Sequence, residues 1–404
     1  MPKVNNSLTN RISSHSDEPV TNKYYLLVSK RYMQAKYILI LCLAAFIGIS
    51  MILFRNEITY ANLMYLIRDF NTKGSVYMSG FDPVEYDEQE NMSFCLYRGE
   101  LVVAGNRSVR MYNSKGQLNR SYEPGYTDPV LSASDKYIIA YDMGETSYSV
   151  YSSIAKVNDG VATGSIENAD INNSGDHLLV CRSDETKYLV MTYDSAFRNT
   201  AKYYKNKYVT SAAIGSDGRV IIVSFDSTAG GYECEVDFFT KGAESADNKY
   251  TASDIFPLQC GIWENGNSFV LCTDKILFFD KSGNLLKTEK TEFKYTAYCE
   301  GNETLAVSCS KDNLGGKSDV IVFDTRGEMV YNNSISGNVS SVAVTEEFVC
   351  VLTGGTAVMM PFNTDKTMMA DTDEDTAVLL TSGSSVLLCK RNGAAGLVFE
   401  TPSE

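Results

Sequence analysis

The sequence predicts an all-β protein whose main domain is an eight-bladed β-propeller, preceded by one transmembrane helix and a short stalk helix. Three observations support this prediction. A pattern of about 41 residues occurs eight times, the last copy lacks a strand that a segment before the first copy supplies, and an uncharged apolar segment precedes all copies.

Each copy of the repeat contains an apolar strand that ends in an aromatic residue and is followed by a polar turn. The aromatic residues are Tyr112, Tyr151, Tyr193, Phe239, Phe279, Phe323, Phe362 and Phe399. Consecutive members are 39, 42, 46, 40, 44, 39 and 37 residues apart. A regular period of this length is typical of β-propellers, in which one repeat forms one blade.

Four strands fit into each copy, and the second is the most apolar, as in ELVVAG and RVIIVSFD. A continuously apolar strand is expected where neighbouring blades cover both faces of a sheet. The fourth strand is polar, as in LNRSYE, which is expected at a solvent-exposed edge. The pattern within a copy therefore predicts one propeller blade.

The two ends of the repeat region indicate how the ring closes. The eighth copy ends near Phe399 without a fourth strand, and Ser75–Met78 forms an isolated strand pattern before the first copy. We expect the N-terminal strand to complete the last blade, because closure removes exposed sheet edges. The predicted propeller covers residues 75–404. The alternatives are a seven-bladed ring with one degenerate copy and a tandem of β-sandwiches.

The segment between Lys36 and Arg55 contains eighteen residues without a charge. As a helix it would be about 27 Å long, close to the roughly 30 Å of a bilayer core. Residues 37–54 are therefore predicted to form a transmembrane helix. No small-residue cleavage motif follows, which argues against a cleaved signal peptide.

The charges that flank this segment predict its orientation. Four basic residues precede it, whereas Arg55 after it is offset by Glu57. The positive-inside rule places residues 1–36 in the cytoplasm and the propeller outside the cell membrane. Residues 1–36 show no hydrophobic period and are predicted to be a disordered tail. Residues 55–73 place Leu63, Leu66, Ile67 and Phe70 on one helical stripe, which predicts the stalk helix.

Net charge excludes nucleic acid as a partner of the large domain. Residues 1–36 carry six basic and two acidic residues, a net charge of +4, whereas residues 55–404 carry 30 basic and 48 acidic residues, a net charge of −18. Binding to nucleic acid requires clustered Lys and Arg. We expect instead a protein or an envelope polymer as the partner.

Residue types that carry catalysis are scarce. His177 is the one histidine after the apolar segment, and it lies at the start of a strand, where a packing role is favoured over a catalytic one. Cys-x-x-Cys spacing is absent, which disfavours zinc. No catalytic residue and no organic cofactor is expected.

An acidic segment between the seventh and eighth copies is the one candidate for metal binding. Asp371, Asp373 and Asp375 alternate as in the first half of a calcium-binding loop. Thr376 and Ser382 occupy the positions at which such a loop needs Gly and Glu. A solvated acidic turn is therefore favoured, with calcium as the alternative.

Five of the ten cysteines fall in the apolar second strands, which are too far apart in neighbouring blades for disulfides. We expect these thiols to be reduced, which in turn suggests an anaerobic owner or an envelope without disulfide-forming enzymes. They are Cys181, Cys272, Cys309, Cys350 and Cys389.

Five tyrosines are predicted near blade edges or loops, where blade packing is favoured over ligand binding. They are Tyr77, Tyr97, Tyr126, Tyr208 and Tyr295.

The turn after the aromatic residue carries a family resemblance. Tyr112-Asn113-Ser114-Lys115-Gly116 and Phe279-Asp280-Lys281-Ser282-Gly283 are similar to the turns of quinoprotein-like propellers. That family includes pyrroloquinoline-quinone dehydrogenases and an outer-membrane assembly lipoprotein that acts as a scaffold, so the resemblance implies a propeller fold. The dehydrogenases carry a Trp in each repeat, whereas this chain has only Trp263. The chain also resembles uncharacterised bacterial single-pass membrane propeller proteins.

The sequence therefore predicts a membrane-anchored extracytoplasmic scaffold that binds a protein or an envelope polymer. A first alternative is a sensor that binds a small molecule or a cell-wall glycan in the central channel. A second alternative is an envelope hydrolase or lyase.

Overall fold

The computed structural model divides the chain into two compact units, Met1–Asp69 and Phe70–Glu404. The first unit contains one described helix, and the second contains every described strand. The structure describes residues 23–53, 81–86, 91–153, 155–228, 231–291, 294–310, 316–364, 366–372, 378–383 and 385–399.

Helix α1 spans Lys23–Leu53, and its segment Lys30–Ile49 has a mean hydropathy of 1.8 with no part buried inside the structure. The helix is thus long and apolar enough to cross a membrane, by length and composition. It starts fourteen residues before the predicted span, so residues 23–36 are helical rather than part of a disordered tail. These residues contain no Gly or Pro that would end the helix. Residues 1–22 and the predicted stalk helix over 55–73 lie outside the described residues.

The second unit consists of eight four-stranded antiparallel sheets. In seven of them the four strands, here called A to D, follow in chain order. The first four blades contain β2 (Met92–Tyr97), β3 (Glu100–Gly105), β4 (Val109–Tyr112), β5 (Leu118–Tyr122); β6 (Pro129–Ala133), β7 (Tyr137–Asp142), β8 (Ser147–Ser152), β9 (Lys156–Val161); β10 (Ile166–Ile171), β11 (His177–Arg182), β12 (Tyr188–Tyr193), β13 (Asn199–Lys205); and β14 (Tyr208–Ile214), β15 (Val220–Thr228), β16 (Gly231–Phe239), β17 (Asn248–Ser253).

The remaining blades follow the same order, except that the eighth takes its D strand from the N-terminal side of the unit. They contain β18 (Pro257–Ile262), β19 (Ser268–Cys272), β20 (Lys275–Phe279), β21 (Leu285–Lys290); β22 (Tyr295–Glu300), β23 (Thr304–Ser310), β24 (Lys317–Asp324), β25 (Met329–Ser336); β26 (Val339–Val344), β27 (Phe348–Thr353), β28 (Thr356–Pro361), β29 (Met368–Asp371); and β30 (Val378–Ser382), β31 (Ser385–Cys389), β32 (Gly393–Gly396), β1 (Val84–Glu85).

The core is divided by the blades. Among the described residues it forms eight hydrophobic clusters, one at each interface between adjacent blades. Contacts between β2 and β30 join the first blade to the eighth and close the ring. The eight-bladed propeller is confirmed, and the seven-bladed and β-sandwich alternatives are wrong.

The B strands are the most deeply buried elements, as their apolar sequences predict. All six residues of β3 are buried, and so are all five residues of β19. Each Val, Leu or Ile side chain removed from water in this way contributes roughly 1.5–3 kcal/mol. Because both faces of a B strand pack against other blades, this burial holds the ring together as well as each sheet.

In most blades the repeating aromatic residue lies at a β-bulge where the C strand meets the D strand. The register shifts at this point in five blades, for example between Met111 and Tyr112 and between Phe278 and Phe279. The Asp or Asn that follows then closes the turn with its side chain. Asp280 Oδ1, for instance, accepts hydrogen bonds from the N–H groups of Ser282 at 2.8 Å and Asn284 at 2.9 Å. The repeat is conspicuous in the sequence because this turn needs particular residues.

The ring is closed by a strand of two residues. Val84 pairs with Ala394 and Glu85 pairs with Gly393, so β1 supplies the fourth strand of blade eight. The hydroxyl of Tyr86 lies 2.8 Å from the carbonyl oxygens of both Lys390 and Gly393. N-terminal closure is thus observed, with a strand nine residues after the predicted Ser75–Met78, which lies outside the described residues.

We predict that Tyr86→Phe lowers the free energy of unfolding of the full-length protein by about 1–2 kcal/mol, because the variant removes the hydrogen-bond donor at the closing strand and keeps the ring. Chemical denaturation in detergent measures the effect. Tyr204→Phe is the matched control, since Tyr204 is an exposed residue of an outer strand. Equal stability of the two variants would contradict a role for Tyr86 in closure.

Candidate functional site

The predicted metal-binding residues are only partly described. Asp371 ends β29, pairs with Thr356 across the sheet and is exposed. Asp373 and Asp375 lie outside the described residues. Within the described residues, no group of three or more His, Cys, Asp and Glu side chains could hold a metal ion. The calcium-binding alternative stays a prediction.

His177 is a packing residue at the interface between blades two and three. Its ring is fully buried and stacks on Tyr193 with centroids 5.0 Å apart and an interplanar angle of 10°. Its Nδ1 lies 3.2 Å from the carbonyl oxygen of Gly175. Burial lowers the pKa of His177, so the ring is neutral at physiological pH. The packing role favoured from the sequence agrees with this position.

All ten cysteines are free thiols, and seven of them are buried. Burial raises the pKa of Cys181 and of Cys350 to about 12. A protonated buried thiol is a poor nucleophile and a poor metal ligand. These cysteines act as small apolar side chains of the blade interfaces.

A pair of neighbouring carboxylates lies on β16, where Glu235 and Asp237 share one face. Lys205 from blade three forms an ion pair with Asp237, and Lys207 lies 2.9 Å from Glu235. Lys249 lies 3.0 Å from Glu235. Burial raises the pKa of Asp237. For Glu235, hydrogen bonds from the two lysines outweigh burial and lower its pKa to about 2. Lysines hold both carboxylates, so the group is an ion-pair clamp between two blades.

We predict that Lys205→Met destabilises the protein by roughly 3 kcal/mol, because it leaves the buried Asp237 without its main counter-charge. Asp237→Asn in the same chain should restore part of this loss. Chemical denaturation of both variants measures the coupling. Lys156→Met is the control, since the exposed Lys156–Asp159 pair is worth at most about 1 kcal/mol. A loss no larger than in this control would refute the clamp.

The A strands line the centre of the ring and are joined from blade to blade by small polar side chains. Ser93 Oγ accepts a hydrogen bond from the N–H of Leu131 at 3.2 Å. Ser211 accepts one from Cys260 at 3.3 Å, and Ser341 one from Leu379 at 3.0 Å. Each bond links an A strand to the A strand of the next blade. Hydrogen bonds of this kind therefore tie neighbouring blades together at their inner strands.

Two carboxyl groups in the A strands differ in their surroundings. Asp170 accepts hydrogen bonds from the N–H of Ile214 at 2.9 Å and the hydroxyl of Ser132 at 2.8 Å. Glu300 is solvent-accessible but surrounded by protein, and desolvation with the nearby charge of Asp170 raises its pKa to about 8. A Cβ at Gly261 would lie 2.6 Å from Glu300 Oε2, so glycine makes room for this carboxyl group.

We predict that Glu300→Gln removes a pH-dependent loss of stability. A carboxyl group whose pKa is raised in the folded state contributes stability, and this contribution is fully present below the usual pKa near 4.5. The contribution is lost as the pH rises through the folded-state pKa of about 8. The variant should therefore gain stability relative to the natural protein between pH 5 and pH 8.5, as chemical denaturation at both values would show. Glu303→Gln, in an exposed turn, is the control. A constant difference between variant and natural protein would contradict the raised pKa.

An aromatic cluster lies on the face of the ring that carries the B–C turns and the D–A connections of blades three to five. It comprises Tyr208, Phe225, Tyr232 and Phe256, and we call it the blade-four aromatic surface. Phe225 stacks on Tyr208 at 5.5 Å and contacts Phe256 at 4.7 Å. Tyr208 is 42% exposed and Tyr232 is 46% exposed. The rings thus form a continuous patch that remains open to solvent.

The other blades show that this patch is a departure from the repeat. β15 and β16 have nine residues each and are the longest strands described, so this hairpin carries more paired residues than the other described B–C hairpins. At the bulge of the A strand, Thr210, Thr296 and Ser340 each donate a hydroxyl hydrogen bond to the B strand. Blade five has the exposed Leu258 at this position. Departures of this kind are expected at functional sites.

The tyrosines singled out in the sequence have different roles. Tyr97 and Tyr126 are buried between blades one and two, and the Tyr97 hydroxyl donates to the carbonyl of Lys136 at 2.6 Å. Tyr295 is half-buried at the interface of blades five and six. Tyr208 is exposed and belongs to the aromatic surface, whereas Tyr77 lies outside the described residues.

Residues 81–395 match the family described as "Family of unknown function (DUF5711)". The chain belongs to this family. The matched segment starts just before β1 and ends within β32, so it covers the ring and its closing strand. No curated protein matches the sequence of this DUF5711 chain.

Solved structures support the fold of the DUF5711 chain. Sqt1 of Saccharomyces cerevisiae aligns with a TM-score of 0.57 and 10% identity, over 80% of this chain and 100% of Sqt1. BamB of Moraxella catarrhalis aligns with a TM-score of 0.52 and 10% identity, over 80% of this chain and 99% of BamB. At these identities the similarity establishes the propeller fold alone.

Proposed function

We propose that this DUF5711 chain is a membrane-anchored scaffold whose extracytoplasmic propeller binds a partner protein at the blade-four aromatic surface. A propeller is a rigid support that suits protein binding. The anchor in this proposal is α1, whose apolar segment has the length of a membrane span. The basic residues Lys30, Arg31 and Lys36 at its N-terminal side support a cytoplasmic N-terminus.

The aromatic surface is the observation that carries the proposal. Its rings contact one another, and ion pairs surround them: Lys187 lies 3.6 Å from Asp226, and Lys207 lies 2.6 Å from Glu233. An aromatic centre with a charged rim is the usual composition of a protein interface. The Lys187 ammonium group lies over the Tyr208 ring, 4.0 Å from its centroid. A ring face covered in this way is poorly placed to stack on a sugar, which favours a protein over an envelope glycan.

The alternatives find less support in the described residues. A hydrolase or lyase needs a carboxylate pair with different protonation states that is open to substrate. Glu235 and Asp237 are instead held by lysines in a clamp. A ligand in the central channel would contact Glu300 and Tyr298, which is 44% exposed. Ligand binding in the central channel is distinguished from protein binding by comparing a variant of Glu300 with variants of Tyr208 and Tyr232.

We predict that a membrane-impermeant amine-reactive crosslinker, added to intact native cells, joins the full-length protein to a partner protein. The adduct should be lost in the double variant Tyr208→Ser/Tyr232→Ser, because these side chains supply the exposed part of the surface. Immunoprecipitation and mass spectrometry measure the adduct. It should persist in Tyr204→Ser, which is equally exposed but lies on an outer strand.

The outcome also tests location and the channel alternative. Crosslinking from outside the cell requires an extracytoplasmic propeller, so an adduct that forms only in lysed cells would contradict the orientation. Loss of the adduct in Glu300→Gln with retention in the tyrosine variant would place the site in the channel instead. Equal adducts in all variants would refute the aromatic surface as the binding site.

A further inference from the structure

The blade-four aromatic surface has one carboxylate whose position differs from the others around it. Asp226, Glu233 and Glu167 each have a basic partner, namely Lys187, Lys207 and Arg182. Asp254 is exposed and forms no ion pair with the described residues. Asp254 is therefore an exposed charge that a partner can neutralise.

A backbone hydrogen bond fixes the position of Asp254 relative to Tyr232. The N–H of Asp254 donates a hydrogen bond of 2.7 Å to the carbonyl of Tyr232. The carboxylate lies over Gly231, where a Cβ would come within 2.5 Å of Asp254 Oδ1. Gly231 and Asp254 both have positive φ angles, of 146° and 58°. The chain thus adopts an unusual local conformation that places the Asp254 carboxylate against Gly231, the residue before Tyr232.

We propose that this surface binds a cationic segment of the partner protein, with an arginine between the Asp254 carboxylate and the aromatic rings. A guanidinium group can donate to a carboxylate while its plane stacks on a ring, and it loses less hydration than an ammonium group. The same face already shows this chemistry, since the Arg182 guanidinium lies 4.6 Å from the Tyr188 ring centroid. An apolar side chain next to the arginine would contact Phe256 and Leu258.

The charge of the domain supports a basic partner. Residues 55–404 carry a net charge of −18, which attracts a cationic segment and repels an acidic one before contact. The inference rests on the proposed function, because it specifies the partner of the same surface. It adds the chemical class of the segment that is bound.

The test places the photoreactive p-benzoylphenylalanine at Tyr232 of the full-length protein in its native cells, with Tyr204 as the matched control position. Mass spectrometry then identifies the crosslinked segment. We expect a protein segment with at least one arginine beside an apolar residue, formed from position 232 and not from 204. A synthetic peptide with that sequence is then titrated against the purified full-length protein in detergent.

Asp254→Asn should weaken binding of this peptide about tenfold, the effect of losing one ion pair of roughly 1.4 kcal/mol. Asparagine tolerates a positive φ angle, so the fold is kept. Glu303→Gln, on the opposite face, should leave the affinity unchanged. A segment without Arg, or unchanged binding to Asp254→Asn, would overturn the inference and leave protein binding intact. The absence of any protein adduct from position 232 would overturn both.

Discussion

Closure of the ring by β1 is the constraint on which the rest of the structure depends. Tyr86 and Gly393 are 307 residues apart in the chain, yet the hydroxyl of one lies 2.8 Å from the carbonyl of the other. Such a contact has a large entropic cost, although the cost grows only slowly with the length of the loop. Once it forms, the hydrophobic cluster between blades eight and one is complete, and every blade has two neighbours.

A closed ring distributes stability over equivalent interfaces and frees its turns to vary. Ser93, Ser211 and Ser341 join A strands through similar hydrogen bonds in different blades, and the buried B strands supply similar apolar faces. The turns contribute little to this framework. The longer β15 and β16 therefore leave the ring intact and carry Phe225 and Tyr232, and this departure can be recognised by comparing blades within one chain.

Most of the fold could be predicted from the sequence because each blade imposes the same chemical requirements. The bulge at Tyr112 and Phe279 is followed by an Asx turn. Because this combination recurs along the sequence, it predicted the repeat period, the number of strands and the closed ring. The closing strand could not be placed, since two residues, Val84 and Glu85, are too few to show an alternating pattern. Its pairing depends instead on Tyr86 and on the small residues of β32.

The candidate site could not be predicted because its residues are far apart in the sequence and come together only in the folded chain. Tyr208 and Phe256 are 48 residues apart, and each taken alone resembles a packing residue of its blade. The clamp on Glu235 and Asp237 could not be predicted either, since two of its lysines, Lys207 and Lys205, lie just beyond the neighbouring blade and at its end. The sequence did single out Tyr208, but as one of five tyrosines for which blade packing was favoured, and the described residues assign no chemistry to Asp371 or His177.

Electrostatics and aromatic packing have separate roles at this surface. The −18 charge of residues 55–404 acts over about 8 Å at physiological ionic strength and favours encounter with basic proteins wherever they approach. Close to the rings, lysines or arginines neutralise Asp226, Glu233 and Glu167. The long-range field therefore attracts without selecting a site, whereas the rings supply contact area. Asp254, whose N–H is bonded to the carbonyl of Tyr232, is then a group that can orient a bound cation, because the backbone specifies its position and it forms no ion pair with the described residues.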